Sequence, residues 1–209
     1  MDRTIIILSG GGPSPGGLPQ ADLVIAADSG LSLAEGLGLT VDVVVGDLDS
    51  VLPKDLDAAR QAGAVIETHP TDKDATDLDL AMTAAVERRA RRIIVAGGGS
   101  GRLDHLLGIA TLLASDRWAD VNIEWHTPGA VVYPIRDSRE LGTSPGDLVS
   151  LVPVGGDAAV TLQGTRWELQ AETLTFGSTR GISNEATTEL VRLQVHSGVV
   201  LLAHTTSTP

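Results

Sequence analysis

The 209-residue chain contains no cysteine. That excludes disulfides, thiolate nucleophiles and cysteine-ligated metal centres. Aromatic residues are scarce, with three Trp, one Tyr and one Phe. Basic residues are the minority charge: 15 Lys and Arg stand against 27 Asp and Glu, for a formal net charge of −12. A general nucleic-acid binder needs a basic footprint, so that class is set aside. A negative field instead raises the local concentration of cations. Long apolar runs are also missing. After Met1-Asp2-Arg3-Thr4 comes only Ile5-Ile6-Ile7-Leu8, too short for a signal-peptide core or a membrane span. The expectation is a soluble, cytoplasmic protein of one large or two small domains, apolar enough to bury a core.

What is present follows two different grammars. From Thr4 to about residue 125, short apolar runs alternate with helical patterns. Ile5–Leu8, Leu23–Ala27, Val43–Val45, Val65–Glu67, Ile93–Ala96 and Val121–Trp125 read as strands. Leu31–Leu37, Lys54–Ala62, Thr76–Arg89 and Leu103–Ser115 read as helices. Leu78, Ala81, Met82 and Ala85 fall on one face of the third helix. Such alternation predicts βαβ units with a mainly parallel sheet. After Pro128-Gly129 helical periodicity ends. Val131–Ile135, Leu148–Val152, Ala159–Leu162, Thr165–Leu169, Leu190–Val195 and Val199–Ala203 are short runs split by Gly, Pro or Ser. Ser197-Gly198 has the look of a tight hairpin turn. The expected organisation is an α/β domain over 1–127 and a small all-β, sandwich-like domain over 128–209.

Aspartates in two short clusters carry the chemistry. Gly46-Asp47-Leu48-Asp49-Ser50 follows the run Val43–Val45, so Asp47 and Asp49 are expected at the carboxyl end of a strand, where open α/β sheets collect ligands. Two like charges kept close are costly without a cation. Hard oxygen ligands of this kind suit Mg²⁺. Asp72-Lys73-Asp74-Ala75-Thr76-Asp77-Leu78-Asp79 opens a helix. Alone it reads as capping, with Thr71 and Asp74 at capping-box spacing. Gly97-Gly98-Gly99-Ser100-Gly101-Arg102 joins a strand to a helix. Glycines there let backbone N–H groups approach a phosphate, and Arg102 adds a planar, bidentate cation. It is neither a P-loop nor a dinucleotide fingerprint. His105, without a Ser or Cys nucleophile pattern, reads as a structural hydrogen-bonder. Trp167 shares an expected strand face with Leu169 and Ala171 and alone reads as a core residue.

Taken in order, six motifs resemble those of the thiamine pyrophosphokinase family. They are Ala27-Asp28-Ser29-Gly30, Gly46–Ser50, Asp72–Leu78, Gly98–His105, Gly164–Leu169 and Ser183-Asn184. The resemblance implies transfer of the pyrophosphoryl group of ATP to the hydroxyl of thiamine, giving thiamine diphosphate and AMP. It implies a homodimer with sites at the interface. It implies Asp47, Asp49 and Asp77 as Mg²⁺ ligands, with Asp49 and Asp77 catalytic. Asp28, Asp74, Thr76, Arg102 and Asp104 would stand on the nucleotide side, and Trp167, Ser183 and Asn184 in the thiamine pocket. The chain departs from the family at Ile109, where Asn is frequent, and over residues 178–184, where a compact Ser-Thr-Ser-Asn run is frequent. A Mg²⁺-dependent transferase for another small alcohol, or a thiamine- or nucleotide-binding protein on this scaffold, are the alternatives.

Overall fold

A computed structural model describes residues 3–13 and 15–207. Met1 and Asp2, which open the N-terminal segment read above, lie outside the described residues. The chain divides into two compact units. One takes in the chain up to Leu112 together with Asp120–Pro128, and the other Leu113–Ala119 and the chain from Gly129 onward.

In the first unit, β1 (Arg3–Ser9), β2 (Leu23–Ala27), β3 (Val43–Gly46), β4 (Val65–Thr68), β5 (Ala90–Gly97) and β6 (Asn122–His126) form a parallel sheet. Its order is β6-β5-β1-β2-β3-β4. The central strands are buried on both faces: Ile5, Ile6, Ile7 and Leu8 have no exposed surface, nor do Ile93, Ile94 and Val95. This explains why they read as unbroken apolar runs rather than as alternation. Between them run α1 (Leu33–Leu37), α2 (Pro53–Gln61), α3 (Asp77–Glu87) and α4 (Leu103–Leu113). Ala34 of α1 and Ala59 of α2 pack with Ile6, Leu8, Val44 and Ile94 on one sheet face. The α3 face of Leu78, Ala81, Met82 and Ala85 is buried, against β1, β2, β3 and β5. The cap of α3 is Thr76, whose side chain accepts from the Asp79 N–H at 3.3 Å; the expected cap at Thr71 lies outside the helix. The segment Leu31–Leu37 opens with a 3₁₀ turn over Asp28–Ser32 before α1 begins.

The second unit is antiparallel. It holds β7 (Val131–Ile135), β8 (Ser138–Gly142), β9 (Leu148–Gln163), β10 (Leu169–Leu174), β11 (Asn184–Glu185) and β12 (Leu190–Thr205). Two 16-residue strands, β9 and β12, replace the four short runs of the sequence reading. Ser197-Gly198 is therefore not a hairpin: both residues lie inside β12, where the register against β9 shifts around Ser197. Gly198 has φ of +80°, and a Cβ there would meet Asp157 O at 2.4 Å. A bulge between two long, bending strands needs the same residue types as a turn. Val149, Leu151, Val160, Leu162, Val191, Leu193, Val200 and Leu202 alternate into this unit's core.

The C-terminal strand is pinned by a buried carboxylate. Asp147, 2% exposed, accepts from the N–H groups of Ser144 (2.9 Å) and Ser207 (2.8 Å), and meets His204 Nε2 at 2.9 Å. Burial alone would raise its pKa. These hydrogen bonds outweigh it and hold the carboxyl well below the usual carboxylate range. Asp147→Asn is expected to lower the melting temperature at pH 7 by roughly 5–10 °C. Hydrogen bonds to a charge are worth about 1.5–3 kcal/mol, and each kcal/mol moves a chain of this size by about 2–4 °C. Because the folded pKa is depressed, this stability is present above the ordinary value and lost as pH falls through the folded one. In thermal scans, the gap between wild type and variant should therefore be constant above about pH 4, begin to narrow below it and close only near the much lower folded value; a gap that stays constant throughout would contradict the charge argument.

Candidate active site

The sheet order reverses between β1 and β5, and such a switch opens a crevice at the carboxyl ends of the strands. Here the loop after β1 and the loop after β5 meet: Ser100 N donates to Gly11 O at 3.0 Å. Gly97, at φ of +96°, ends β5; a Cβ there would lie 2.2 Å from Ser9 O. A cleft of about 740 Å³ opens at this point, within the roughly 300–1,000 Å³ usual for small-ligand sites. Its walls carry Ser9, Gly10 and Gly11, the aspartates 28, 47, 49, 74, 77 and 79, Thr76, Gly98, Ser100, Arg102, Asp104 and His105.

Asp28 follows β2 at φ of +45°, a conformation that costs a non-glycine residue about 1–3 kcal/mol. It is 7% exposed, and its Oδ1 has no hydrogen-bond partner among the described residues. Burial, joined by the negative charges of Asp77 and Asp47, raises its pKa against the hydrogen bonds of Ser29 and Ser50. Asp47 and Asp49 follow β3. Asp49 N donates to Asp47 Oδ1 at 3.3 Å and Ser50 Oγ to Asp49 Oδ1 at 2.8 Å. Asp28, Asp47 and Asp49 each offer one oxygen within 4.8 Å of the others'. Gly46, at φ of +152°, makes room for this: a Cβ would stand 3.1 Å from both Asp28 Cβ and Asp77 Oδ1.

Asp77 opens α3 at the positive end of its dipole. Lys73 Nζ reaches Asp77 Oδ1 at 3.0 Å and Asp47 Oδ2 at 2.8 Å. The hydrogen bond from Lys73 is the main reason that the Asp47 pKa is lowered. Asp74 is exposed on the cleft wall, as are Arg102 and Asp104. Arg102 clasps Asp104 through Nε (3.2 Å) and Nη2 (2.6 Å). That pairing brings the Asp104 pKa down to about 2. His105, expected as a structural hydrogen-bonder, is exposed and faces the cleft. Ile109 is buried and supports the glycine loop, its Cδ1 2.6 Å from where a Gly98 Cβ would be.

Trp167, Ser183 and Asn184 belong to the second unit. Trp167 is 57% exposed, so it is no core residue. The expected strand Thr165–Leu169 is a loop up to Glu168, closed by Gly164 N donating to Glu168 Oε1 at 2.8 Å. The strand face shared with Leu169 and Ala171 is therefore broken: Leu169 is buried while Trp167 and Ala171 are exposed. Arg166 stacks its guanidinium on the indole at 5.1 Å. Asn184, 6% exposed, holds the loop. Its Oδ1 accepts from Trp167 N (3.1 Å) and Glu185 N (2.9 Å), and its Nδ2 donates to Thr165 Oγ1 (3.2 Å) and Trp167 O (2.7 Å). These four bonds use the full capacity of the amide. Ser183 is exposed beside it. Sequence reasoning gave no role to Ser9, Ser50 or Lys73. The one signal for Lys73 was its i,i+4 spacing to Asp77.

Hard carboxylate oxygens facing two glycine-rich loops, at the switch point of a parallel sheet, define an α/β phosphotransferase type of site. Comparison with known proteins narrows that class. Residues 17–124 match the family model for the thiamin pyrophosphokinase catalytic domain, and residues 135–200 match that for the thiamin pyrophosphokinase vitamin B1 binding domain. Thiamine pyrophosphokinase of Bacillus subtilis is 26% identical over 98% of this chain and 99% of its own. The crystal structure of thiamine pyrophosphokinase from Bacillus subtilis superposes with a TM-score of 0.86 at 25% identity, covering 98% of this chain and 100% of that one. That of thiamin pyrophosphokinase from Geobacillus thermodenitrificans gives 0.81 at 26% identity, over 100% and 99% of the two chains. The chain belongs to the thiamin pyrophosphokinase family, enzymes that transfer pyrophosphate from ATP to thiamine.

Proposed function

We propose that this enzyme makes thiamine diphosphate and AMP from thiamine and ATP, with Mg²⁺ held by Asp28, Asp47 and Asp49. The observation that carries this reading is the convergence of three carboxylate oxygens within 4.8 Å of one another, beside the loops Gly10–Gly11 and Gly98–Ser100. The donor set fits the ion. All three ligands are hard oxygens, and the buried Asp28 Oδ1 lacks a hydrogen-bond partner among the described residues, as expected of an atom reserved for a cation. In this reading Asp28, which the resemblance implies on the nucleotide side, joins Asp47 and Asp49 as a ligand, and Asp77, which the resemblance implies as a third ligand, stands beside them. Bound there, Mg²⁺ would neutralise phosphate charge and polarise the phosphoryl oxygens.

The protein's own groups do the rest. The Gly98–Gly101 turn ahead of α4, with Gly98 and Ser100 on the cleft wall, lies beside the phosphates, and Arg102 supplies a cation. Asp74, Thr76 and Asp104 complete the nucleotide side. Asp77 orients the thiamine hydroxyl and accepts its proton. The hydroxyl oxygen then bonds to the β-phosphorus as the bond from that phosphorus to the α,β-bridging oxygen breaks, and AMP leaves with the bridging oxygen. The indole of Trp167 stacks on the cationic heterocycle. Ser183 borders that pocket, and Asn184 fixes the backbone that presents the indole. The active form is a homodimer with its sites at the interface.

The test is to incubate the protein with MgATP and thiamine and identify the products by mass spectrometry. AMP should appear in step with thiamine diphosphate, in a preparation that light scattering shows to be dimeric. ADP with thiamine monophosphate would sink the pyrophosphoryl reading. An active monomer would sink the dimer.

A further inference from the structure

We infer that Lys73 is the internal counter-ion of the carboxylate cluster, a positioning residue that holds Asp47 and Asp77 in place before any divalent ion arrives. Asp28, Asp47, Asp49 and Asp77 crowd one end of the sheet, and like charges at such range repel. Lys73 bridges two of them from two different elements: Asp47, past the end of β3, at 2.8 Å, and Asp77, the first residue of α3, at 3.0 Å. Its side chain is only 14% exposed. A cation beside a helix N-terminus is opposed by the helix dipole, and burial opposes it further. Both costs are offset here by the two carboxylates.

The position of Lys73 separates this role from substrate binding. Lys73 is absent from the cleft wall, whereas both of its partners are on it. The ammonium therefore braces the two carboxylates without itself lining the cleft. It also leaves three oxygens, from Asp28, Asp47 and Asp49, as the mutual group suited to a cation, and it competes with that cation for Asp47. This last part rests on the metal reading above; the bracing does not.

The test uses Lys73→Met, which keeps the length of the stem and removes the charge, and Lys73→Arg, which restores it. Melting temperatures are measured in EDTA and with millimolar MgCl₂ as the sole added ligand. In EDTA, Lys73→Met should melt about 5 °C below wild type, because two half-buried carboxylates lose their partner, and Lys73→Arg should recover at least half of that deficit. Mg²⁺ should raise the melting temperature of Lys73→Met more than that of wild type, since the competitor is gone and the ion takes over its neutralising role. An unchanged melting temperature in EDTA would overturn the inference. So would a wild type stabilised by Mg²⁺ alongside a Met variant that gains no more than it does, the outcome for a residue that merely packs. If Mg²⁺ moves neither protein while the deficit in EDTA and its Arg rescue persist, the metal reading falls and the counter-ion role is supported.

Discussion

Asp49→Asn is expected to cut turnover by roughly a hundredfold to a thousandfold, the loss typical of removing one preorganised electrostatic group. The amide keeps the size of the side chain and can still accept the hydrogen bond that Ser50 Oγ donates at 2.8 Å. The bond from Asp49 to Asp47 Oδ1 comes from the backbone N–H and survives the change. Asp49 is exposed, so folding stability should stay within about 0.5 kcal/mol, as for surface substitutions elsewhere. What disappears is one of three anionic oxygens in the cluster. The Mg²⁺ concentration giving half-maximal rate should rise together with the fall in turnover. Steady-state rates across a Mg²⁺ titration, with a thermal melt as control, provide the check. Near-normal turnover at low Mg²⁺ would remove Asp49 from the metal site.

Trp167→Ala should raise the Michaelis constant for thiamine by about tenfold to a hundredfold and leave that for ATP almost unchanged. Stacking on an aromatic ring is worth roughly 1–3 kcal/mol, and each 1.4 kcal/mol is about one decade of affinity. At 57% exposure the indole can be removed without opening a core cavity. The loop that presents it should also persist, since Asn184 bonds the N–H and carbonyl of residue 167 and not its ring. The melting temperature should therefore hold. A large drop in stability, or an equal rise in both Michaelis constants, would return Trp167 to a structural role. Unchanged values of all three would leave it with neither role.

Much of the first unit was legible in the chain. The runs Ile5–Leu8, Leu23–Ala27, Val43–Val45 and Ile93–Ala96 are strands because both of their faces are covered, and such strands leave an unbroken apolar signature. Helices announce themselves locally, by a 3.6-residue period that needs no partner to be read. The second unit was harder. Leu148–Val152 and Ala159–Leu162 belong to one strand, as do Leu190–Val195 and Val199–Ala203. Gly155-Gly156 and Ser197-Gly198 interrupt the pattern as turns would, but each long strand continues beside the other, with a shift in register. Whether a glycine turns a chain or lets it bulge depends on the strand across from it.

The same division runs through the site. The sequence by itself determined the chemical inventory and its order: hard carboxylates after one strand and before one helix, a glycine-rich turn with Arg102, and a lone Trp167 in a polar segment. These are local facts, because strand ends, caps and turns are built from residues adjacent in the chain. Only the tertiary structure decided which groups meet. Asp28 joins Asp47 and Asp49 because β2 and β3 are hydrogen-bonded neighbours with Ala27 beside Val45. Lys73 spans two elements to reach Asp47, 26 residues away. Asn184 spends its amide on the loop of Trp167, 17 residues back. Contacts of this kind depend on sheet order and on the path of the backbone through space, and no periodicity along the chain encodes them.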